Sequence, residues 1–320
     1  GVGSTTVGGP TNIQTDRLTG NTSSVQTLDA GTNALAMGRL NSGTPLTDST
    51  ALGASWTLSA GSVRMDTLAE LHSGAVTLQA TGPASATTGN VVLGENAAID
   101  VSGRDVSFFN VARGTQGGQV NLSSNNGAVT VEGNAATPAQ AVVKLAGAAG
   151  ADGGTLTVKA VNGEADLGAL RLEGTAVAGA DGQRGDGARV RIDANTLPED
   201  ANGLRSLSAL GRALKDGGVD GEITVRTRSG NLNVVAGDEI EAHQVSLTAD
   251  GGTLMSTPSR SMTACASFST SGSWSAGSRL TPTPISGTLI LLPRKPATMP
   301  PCVPELPEPT TTASSARPMS

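Results

Sequence analysis

A short phrase, a small-residue turn followed by an alternating strand, recurs along most of this chain and limits what it can fold into. It reads Gly-Ala-Val-Thr-Leu at 74–78, Gly-Gly-Gln-Val-Asn-Leu at 117–122, Gly-Gly-Thr-Leu-Thr-Val at 153–158, Gly-Ala-Arg-Val-Arg-Ile at 187–192, Gly-Glu-Ile-Thr-Val at 221–225 and Gly-Gly-Thr-Leu at 251–254. The clearest copies begin roughly 31 to 36 residues apart, so one irregular unit is laid down repeatedly and stacks into a rod.

Composition supports a rod over several globular domains. The 320 residues include 43 Gly but only 3 Phe, 2 Trp and no Tyr, so the aromatic side chains that fill a wide core are almost missing. Val, Leu, Ile and Ala suffice for the narrow core of a solenoid rung. Apolar runs such as Leu289 to Leu292 are far short of the ~20 residues of a membrane-spanning helix.

The first 255 residues carry 25 acidic and 16 basic groups, net -9, whereas the rest is net +3. An acidic rod offers no concentrated positive charge to a nucleic-acid backbone, so no nucleic-acid partner is expected. Both cysteines, Cys265 and Cys302, lie after the repeats, which suits a protein kept unfolded until exported. The start, Gly-Val-Gly-Ser, has neither the basic nor the apolar stretch of a signal peptide and reads as an internal piece of a longer chain.

Along the chain, residues 1–55 read as irregular N-terminal coils, with apolar beats at Leu18, Val25, Leu28 and Leu35. From Trp56 to 255 the period-two alternation is regular, through pairs such as Val76/Leu78, Ile99/Val101, Val106/Phe108, Val120/Leu122, Leu156/Val158, Val190/Ile192 and Ile223/Val225. Antiparallel hairpins in a sandwich or flattened prism would use turns such as Asn126-Gly127, Asp181-Gly182 and Asp220-Gly221. Parallel stacking fits better, because insertions such as 132–142 and 173–186 differ in length without disturbing the strand that follows. The predicted fold is all-β, a right-handed parallel β-helix; at roughly 20 residues per coil and ~4.8 Å per rung, about 12 coils span ~60 Å.

Two segments depart from the pattern. Thr196-Leu-Pro-Glu199 forms a capping-box signature, and Leu204, Leu207, Leu210 and Leu214 follow at helical spacing before Gly217-Gly218, predicting a helical excursion over 198–216. After Leu254 the phrase breaks off just as a new coil is expected, and 256–320 hold 11 of the 16 prolines and no Asp. That composition predicts a disordered tail and raises the expectation of an out-of-frame product, with a proline-rich stalk as the alternative.

The Gly-Gly-x-Val/Leu-x-Leu/Val phrases, Gly94-Glu-Asn-Ala-Ala-Ile-Asp-Val-Ser-Gly103 and Arg226-Thr-Arg-Ser-Gly-Asn-Leu-Asn-Val234 resemble the large exoproteins of the filamentous haemagglutinin type, exported by two-partner secretion in Gram-negative bacteria. The resemblance covers about 60–255, and autotransporter passengers share similar patterns. It implies a secreted or surface-exposed adhesin shaft, an outer-membrane β-barrel transporter as partner, and attachment to a host or bacterial surface receptor. No secretion domain or toxin domain is recognisable in the residues themselves.

An enzyme reading needs carboxylates or a base gathered on one face. The candidates Asp100, Asp105, Glu132, Asp152, Asp166, Asp181, Asp186 and Asp193 stand mostly singly beside Gly or Asn, as turn residues do. His72 and His243 have no metal-ligand spacing around them, and neither a nucleophile elbow nor a phosphate loop occurs, so no cofactor is expected and a non-catalytic role is preferred. The alternatives are a polysaccharide-acting β-helix enzyme and a remnant of a disrupted exoprotein gene. The glycine-rich loop 179–187 contains Arg184-Gly185-Asp186, a tripeptide that integrin-type receptors recognise at an exposed loop tip.

Overall fold

The computed structural model describes residues 1–256 apart from 44, 86, 110, 134–140, 236, 237 and 239, together with the strand Thr288–Leu291. It is an all-β, solenoid-like stack of parallel strands. The first sheet contains one strand from each of nine successive coils: Val2–Thr6, Val25–Asp29, Ser55–Ala60, Ala75–Ala80, Gln119–Ser124, the first half of Thr155–Asp166, Arg189–Thr196, Glu222–Thr227 and Gln244–Ala249. Nine rungs at ~4.8 Å give a rod of about 38 Å. It is shorter than the sequence suggested, because coils grow as long as the 44 residues from Ala75 to Gln119. Regular pairing also begins at Val2, so the strands within 1–55 are part of the stack: Val2 pairs with Val25 and Val25 with Ser55.

In-register pairing turns the period-two pattern into columns. Val76, Val120, Leu156, Val190, Ile223 and Val245 stack in one inward column, and Leu78, Leu122, Val158, Ile192, Val225 and Leu247 in the next. Val120, Leu122, Leu156, Val158, Val190, Ile192, Ile223 and Val225 are each no more than 1% exposed.

The recurring glycine has a steric cause. The residues preceding the first-sheet strands stack as Ala54, Gly74, Gly118, Gly154, Ala188 and Gly221, and each ladder continues through them: Gln119 N donates to Gly74 O at 2.8 Å and Thr155 N to Gly118 O at 2.9 Å. A Cβ on Gly118 would lie 2.0 Å from Gly74 O, and one on Gly154 2.1 Å from Gly118 O. At Gly74, Gly118 and Gly154 the chain turns so closely over the preceding rung that hydrogen at Cα is the only substituent with room, whereas Ala54 and Ala188 stand where a Cβ fits. Gly251-Gly-Thr-Leu254 is different, since Leu254–Ser256 pairs with Leu232–Val234 on the next side of the coil. The phrase at 251 therefore continues the ninth coil and does not open a tenth.

The second sheet runs through Thr11–Gln14, Ala34–Gly38, Ser62–Asp66, Val91–Leu93, Val129–Val131 and the end of Thr155–Asp166. A third, of Arg17–Leu18, Leu68–Glu70, Ala98–Asp100, Val142–Lys144 and Arg171–Glu173, closes the side of the coil. Arg17–Leu18 pairs directly with Leu68–Glu70, so the second coil supplies no strand there and its residues 45–51 lie outside the ladder before Leu52 and Gly53 rejoin it. Val106 and Phe108, expected as a rung, belong to an antiparallel hairpin of Asp105–Phe108 with Val111–Gly114 that has no rung neighbour among the described residues.

The helix is Ser208–Asp216, shorter than expected at its start. Thr196 stays extended because its strand still pairs with Glu164, and its hydroxyl donates to Leu197 O at 3.2 Å, leaving the capping box unmade. Leu207, Leu210 and Leu214 are buried while Leu204 is exposed. The end matches Gly217-Gly218, with Gly218 at φ +66°. The helix lies beside the last third-sheet rung, where Gly174 N donates to Gly217 O at 2.6 Å.

Of the tail, 257–287 and 292–320 lie outside the described residues, and the expectation of disorder falls largely on them. The exception is Thr288–Leu291, which pairs antiparallel with Gln244–Ala249 along the open edge of the ninth rung. That edge presents unpaired ladder donors and acceptors, and four tail residues of strand-forming type cover it, a cap the proline content had argued against.

Gly118→Val should lower the unfolding free energy by at least ~2 kcal/mol in urea titration, because the new side chain must push two rungs apart. Leu156→Ala should cost about 2–5 kcal/mol through its cavity, and Leu156→Asp should abolish the cooperative transition. An unchanged midpoint for Gly118→Val would contradict the close-approach explanation.

Candidate functional site

The third sheet brings chemistry together. Its alternation turns Leu18, Ala69, Ile99, Val143 and Leu172 inward, and its register then stacks Glu70, Asp100, Lys144 and Glu173 in one outward row. Adjacent carboxylates at rung spacing repel, so each is matched by a cation or donor. Arg17 Nη1 lies 2.7 Å from Glu70 Oε2. His72 stands between Glu70 Oε1 at 3.2 Å and Asp100 Oδ1 at 3.7 Å. The Ser102 hydroxyl donates to Asp100 Oδ1 at 2.6 Å. Lys144 Nζ lies 3.8 Å from both Asp100 and Glu173, and Arg171 Nη2 is 2.9 Å from Glu173 Oε1.

Residues 45–51, displaced from the stack, are strapped over one end of this row. Ser49 N donates to Glu70 Oε1 at 2.6 Å, Arg17 Nη1 donates to Thr47 O at 2.5 Å, and Arg104 donates to Ser49 O. Burial pushes the Glu70 carboxyl upward, but the Ser49 N–H, Arg17 and His72 together outweigh it and hold the group below its ordinary value. Glu70 is thus a buried, ionised anchor.

At the other end, the helix and the rung Arg171–Glu173 enclose a cleft of 580 Å³ with Leu170 and Leu172 among its lining. Arg171 and Glu173 face it from the sheet, Arg212 and Asp216 from the helix. Arg212 Nε donates to Ser208 O at 3.3 Å, leaving the rest of its guanidinium without a partner among the described residues.

General acid catalysis by a carboxyl group needs a proton retained near neutral pH. In this row the one resolved shift, at Glu70, runs the opposite way. The carboxyl pushed up is Glu164, by burial and then by Asp166, on the second sheet near Arg205 and Glu199. The described residues contain no group of three or more His, Cys, Asp or Glu arranged to hold a metal ion. The row and cleft can bind polar ligands through paired donors and acceptors.

Of the candidate carboxylates, only Asp100 joins the row. Asp105 accepts from Ala149 N at the hairpin base, and Glu132 is held by both terminal nitrogens of Arg64 at 2.6 and 2.5 Å. Asp166 and Asp181 close their own turns onto Gly168 N and Gln183 N. Asp193 makes two hydrogen bonds with Arg228, at 2.9 and 2.8 Å. Asp152 accepts from Asp186 N and lies 3.7 Å from Arg189, which is 3.5 Å from Asp186. His243, exposed at its strand start, places Nδ1 3.1 Å from Asp186 Oδ1. The sequence reading missed Glu70, Lys144, Arg171, Glu173 and Arg212, and weighed His72 only as a metal ligand. The parallel spacing of Glu70-x-His72 and Asp100-x-Ser102 was the available signal, once the rungs were in register.

The Arg184-Gly185-Asp186 tripeptide does not occupy the loop tip. The turn closes above it, with Gly179 N donating to Gln183 O at 2.7 Å. Arg184 pairs with Asp220 at 2.6 Å, and a Cβ on Gly185 would meet Ala151 C at 2.4 Å. The glycines therefore let the descending limb lie flat against the neighbouring rung, and both charged side chains of the tripeptide contact ionic partners there.

Comparison with protein-family models, with curated proteins and with solved structures found no match to this chain.

Because Glu70 titrates below its ordinary value of 4.5, its contribution to stability is complete above that pH and is lost as pH falls through the lower folded value. Glu70→Ala should cost about 2–3 kcal/mol at neutral pH, flatten the acid limb of the stability profile and open 45–52 to limited proteolysis. An acid limb identical to that of the unaltered chain would remove Glu70 from this role.

Proposed function

We propose that this chain is a non-catalytic shaft segment of a secreted or surface-exposed adhesin of the filamentous haemagglutinin type, wound as a right-handed parallel β-helix. In this reading the parent protein leaves a Gram-negative cell through an outer-membrane β-barrel partner and presents its length to other surfaces. The observation that carries it is the stack of nine in-register strands whose intervening segments vary freely in length. Such an architecture extends a chain and tolerates insertions, which suits display more than a single site. Among the described residues no helix is long and apolar enough to cross a membrane.

The row Glu70–Asp100–Lys144–Glu173 and its adjoining cleft favour, as a second reading, action on a polysaccharide. The electrostatics weigh against it: Glu70 is held ionised, and cations stand against both Asp100 and Glu173.

The deciding experiment expresses the full natural locus with its export partner and measures surface display, cell attachment and depolymerisation of acidic polysaccharides. The adhesin reading expects display and attachment, with Lys144→Ala and Glu173→Gln each changing attachment by less than about twofold because binding is spread over many rungs. Depolymerisation abolished by either substitution would establish the enzyme. A natural locus that yields neither display nor attachment would support a disrupted gene.

A further inference from the structure

The cleft between the helix and the last third-sheet rung is polarised along its length. Ala209 Cβ lies 3.8 Å from where a Cβ on Gly168 would stand, and Gly174 N donates to Gly217 O at 2.6 Å, so the helix runs alongside Arg171–Glu173 in the same direction. Arg212 is therefore level with the Arg171 end of the cleft and Asp216 with the Glu173 end. Arg212 and Asp216 are about 6 Å apart along the helix axis, and Arg171 and Glu173, two residues apart on a strand, are about 6.6 Å apart. The two walls thus set cation beside cation at one end and carboxylate beside carboxylate at the other, at matched spacing.

Like charges gathered across a cleft repel unless a group of opposite sign lies between them. Arg171 and Glu173 partly answer each other at 2.9 Å, and Glu173 is also 3.8 Å from Lys144. The helix pair has no such relief. Arg212 engages Nε alone, on Ser208 O, and the Asp216 carboxylate has no hydrogen bond or ion pair among the described residues. Both stand exposed at the rim of the cleft, whose lining includes the buried Leu170 and Leu172.

We propose that this cleft binds an extended peptide segment carrying an acidic and a basic residue two positions apart, the carboxylate entering between Arg171 and Arg212 and the cation between Glu173 and Asp216. An extended chain puts side chains i and i+2 on one face about 6.6 Å apart, which matches the spacing of both walls. Three extended residues with their side chains fill about 480 Å³ at ordinary strand and sheet spacings, and the cleft holds 580 Å³. A segment of single sign would meet like charge at one end, so the pattern of the walls selects for both signs in one ligand. Such a segment is neutral as a whole, and the net -9 of the first 255 residues does not repel it at a distance. The site goes beyond the adhesion reading and does not rest on it, because a peptide cleft on one coil is compatible with a shaft or with an enzyme.

The test is calorimetric titration of the full chain, at low salt, with the blocked pentapeptide acetyl-Ala-Glu-Ala-Lys-Ala-amide. Saturable binding with a Kd on the order of 1 mM is expected, weakening severalfold at about 0.5 M salt. Arg212→Gln and Asp216→Asn, both at exposed helix positions, should leave the thermal midpoint unchanged and each raise the Kd about three- to fivefold. Peptides with Gln in place of Glu or of Lys should lose affinity to the same extent, as should one with Glu and Lys adjacent, whose charges leave opposite faces of an extended chain. No saturation of the unaltered chain at about 10 mM peptide, unchanged affinity in both variants, or equal affinity for the adjacent-charge peptide overturns the proposal. Saturable binding of an oligosaccharide of uronic acids, with none of the pentapeptide, would also overturn it, in favour of the polysaccharide reading.

Discussion

Backbone hydrogen bonding between successive coils sets the spacing on which everything else in this protein depends. Once rungs lie ~4.8 Å apart, each side chain meets its counterparts directly above and below, and whatever occupies a column must tolerate contact with its own kind. Inward columns solve this with Val, Leu and Ile, and the turn column with Gly or Ala. The turn column is the most restrictive, since Gly74, Gly118 and Gly154 bring backbone against backbone with no room for Cβ. Segments between the columns are bound by none of this, and the chain places there a strap, a hairpin and a helix.

The same spacing organises the charge. Like charges stacked at rung distance are unfavourable, so carboxylates in outward rows are answered by cations on neighbouring rungs. Arg191 reaches Glu222 at 2.7 Å, Arg226 reaches Asp250 at 2.7 Å, and Arg228 reaches Asp193 at 2.8 Å. Each exposed pair contributes little alone, on the order of 0–1 kcal/mol. The Glu70 network differs in being nearly sealed from water, and there the charge also secures a segment that the stack has expelled.

The first-sheet core was legible because each of its strands announces itself with period-two alternation, and eight named residues from Val120 to Val225 lie where that alternation put them. The coil count was not, because period measures only the phrase and says nothing of how many residues an insertion removes from the stack. The hairpin at 105–114 illustrates the limit: Val106 and Phe108 alternate like a rung, yet pairing partners decide whether alternation means core, and here the partner is Ala112 and its neighbours in an antiparallel arm. The helix start failed for a related reason, since pairing of Thr196 with Glu164 outcompeted a cap worth about 1 kcal/mol.

The row on the third sheet was invisible for a geometric reason. Glu70, Asp100, Lys144 and Glu173 are separated by 30, 44 and 29 residues, so no local motif links them, and only the register of three strand pairings makes them neighbours. The Arg184-Gly185-Asp186 tripeptide is the converse case, conspicuous in sequence yet held at the foot of its loop by contacts with Asp220, Arg189 and His243. In a solenoid a contiguous motif is as readily absorbed by the rung beside it as displayed. Groups on insertions escape the ladder: the Arg212 guanidinium on the helix and the Phe109 ring on the hairpin both project where, among the described residues, no neighbouring rung supplies a partner.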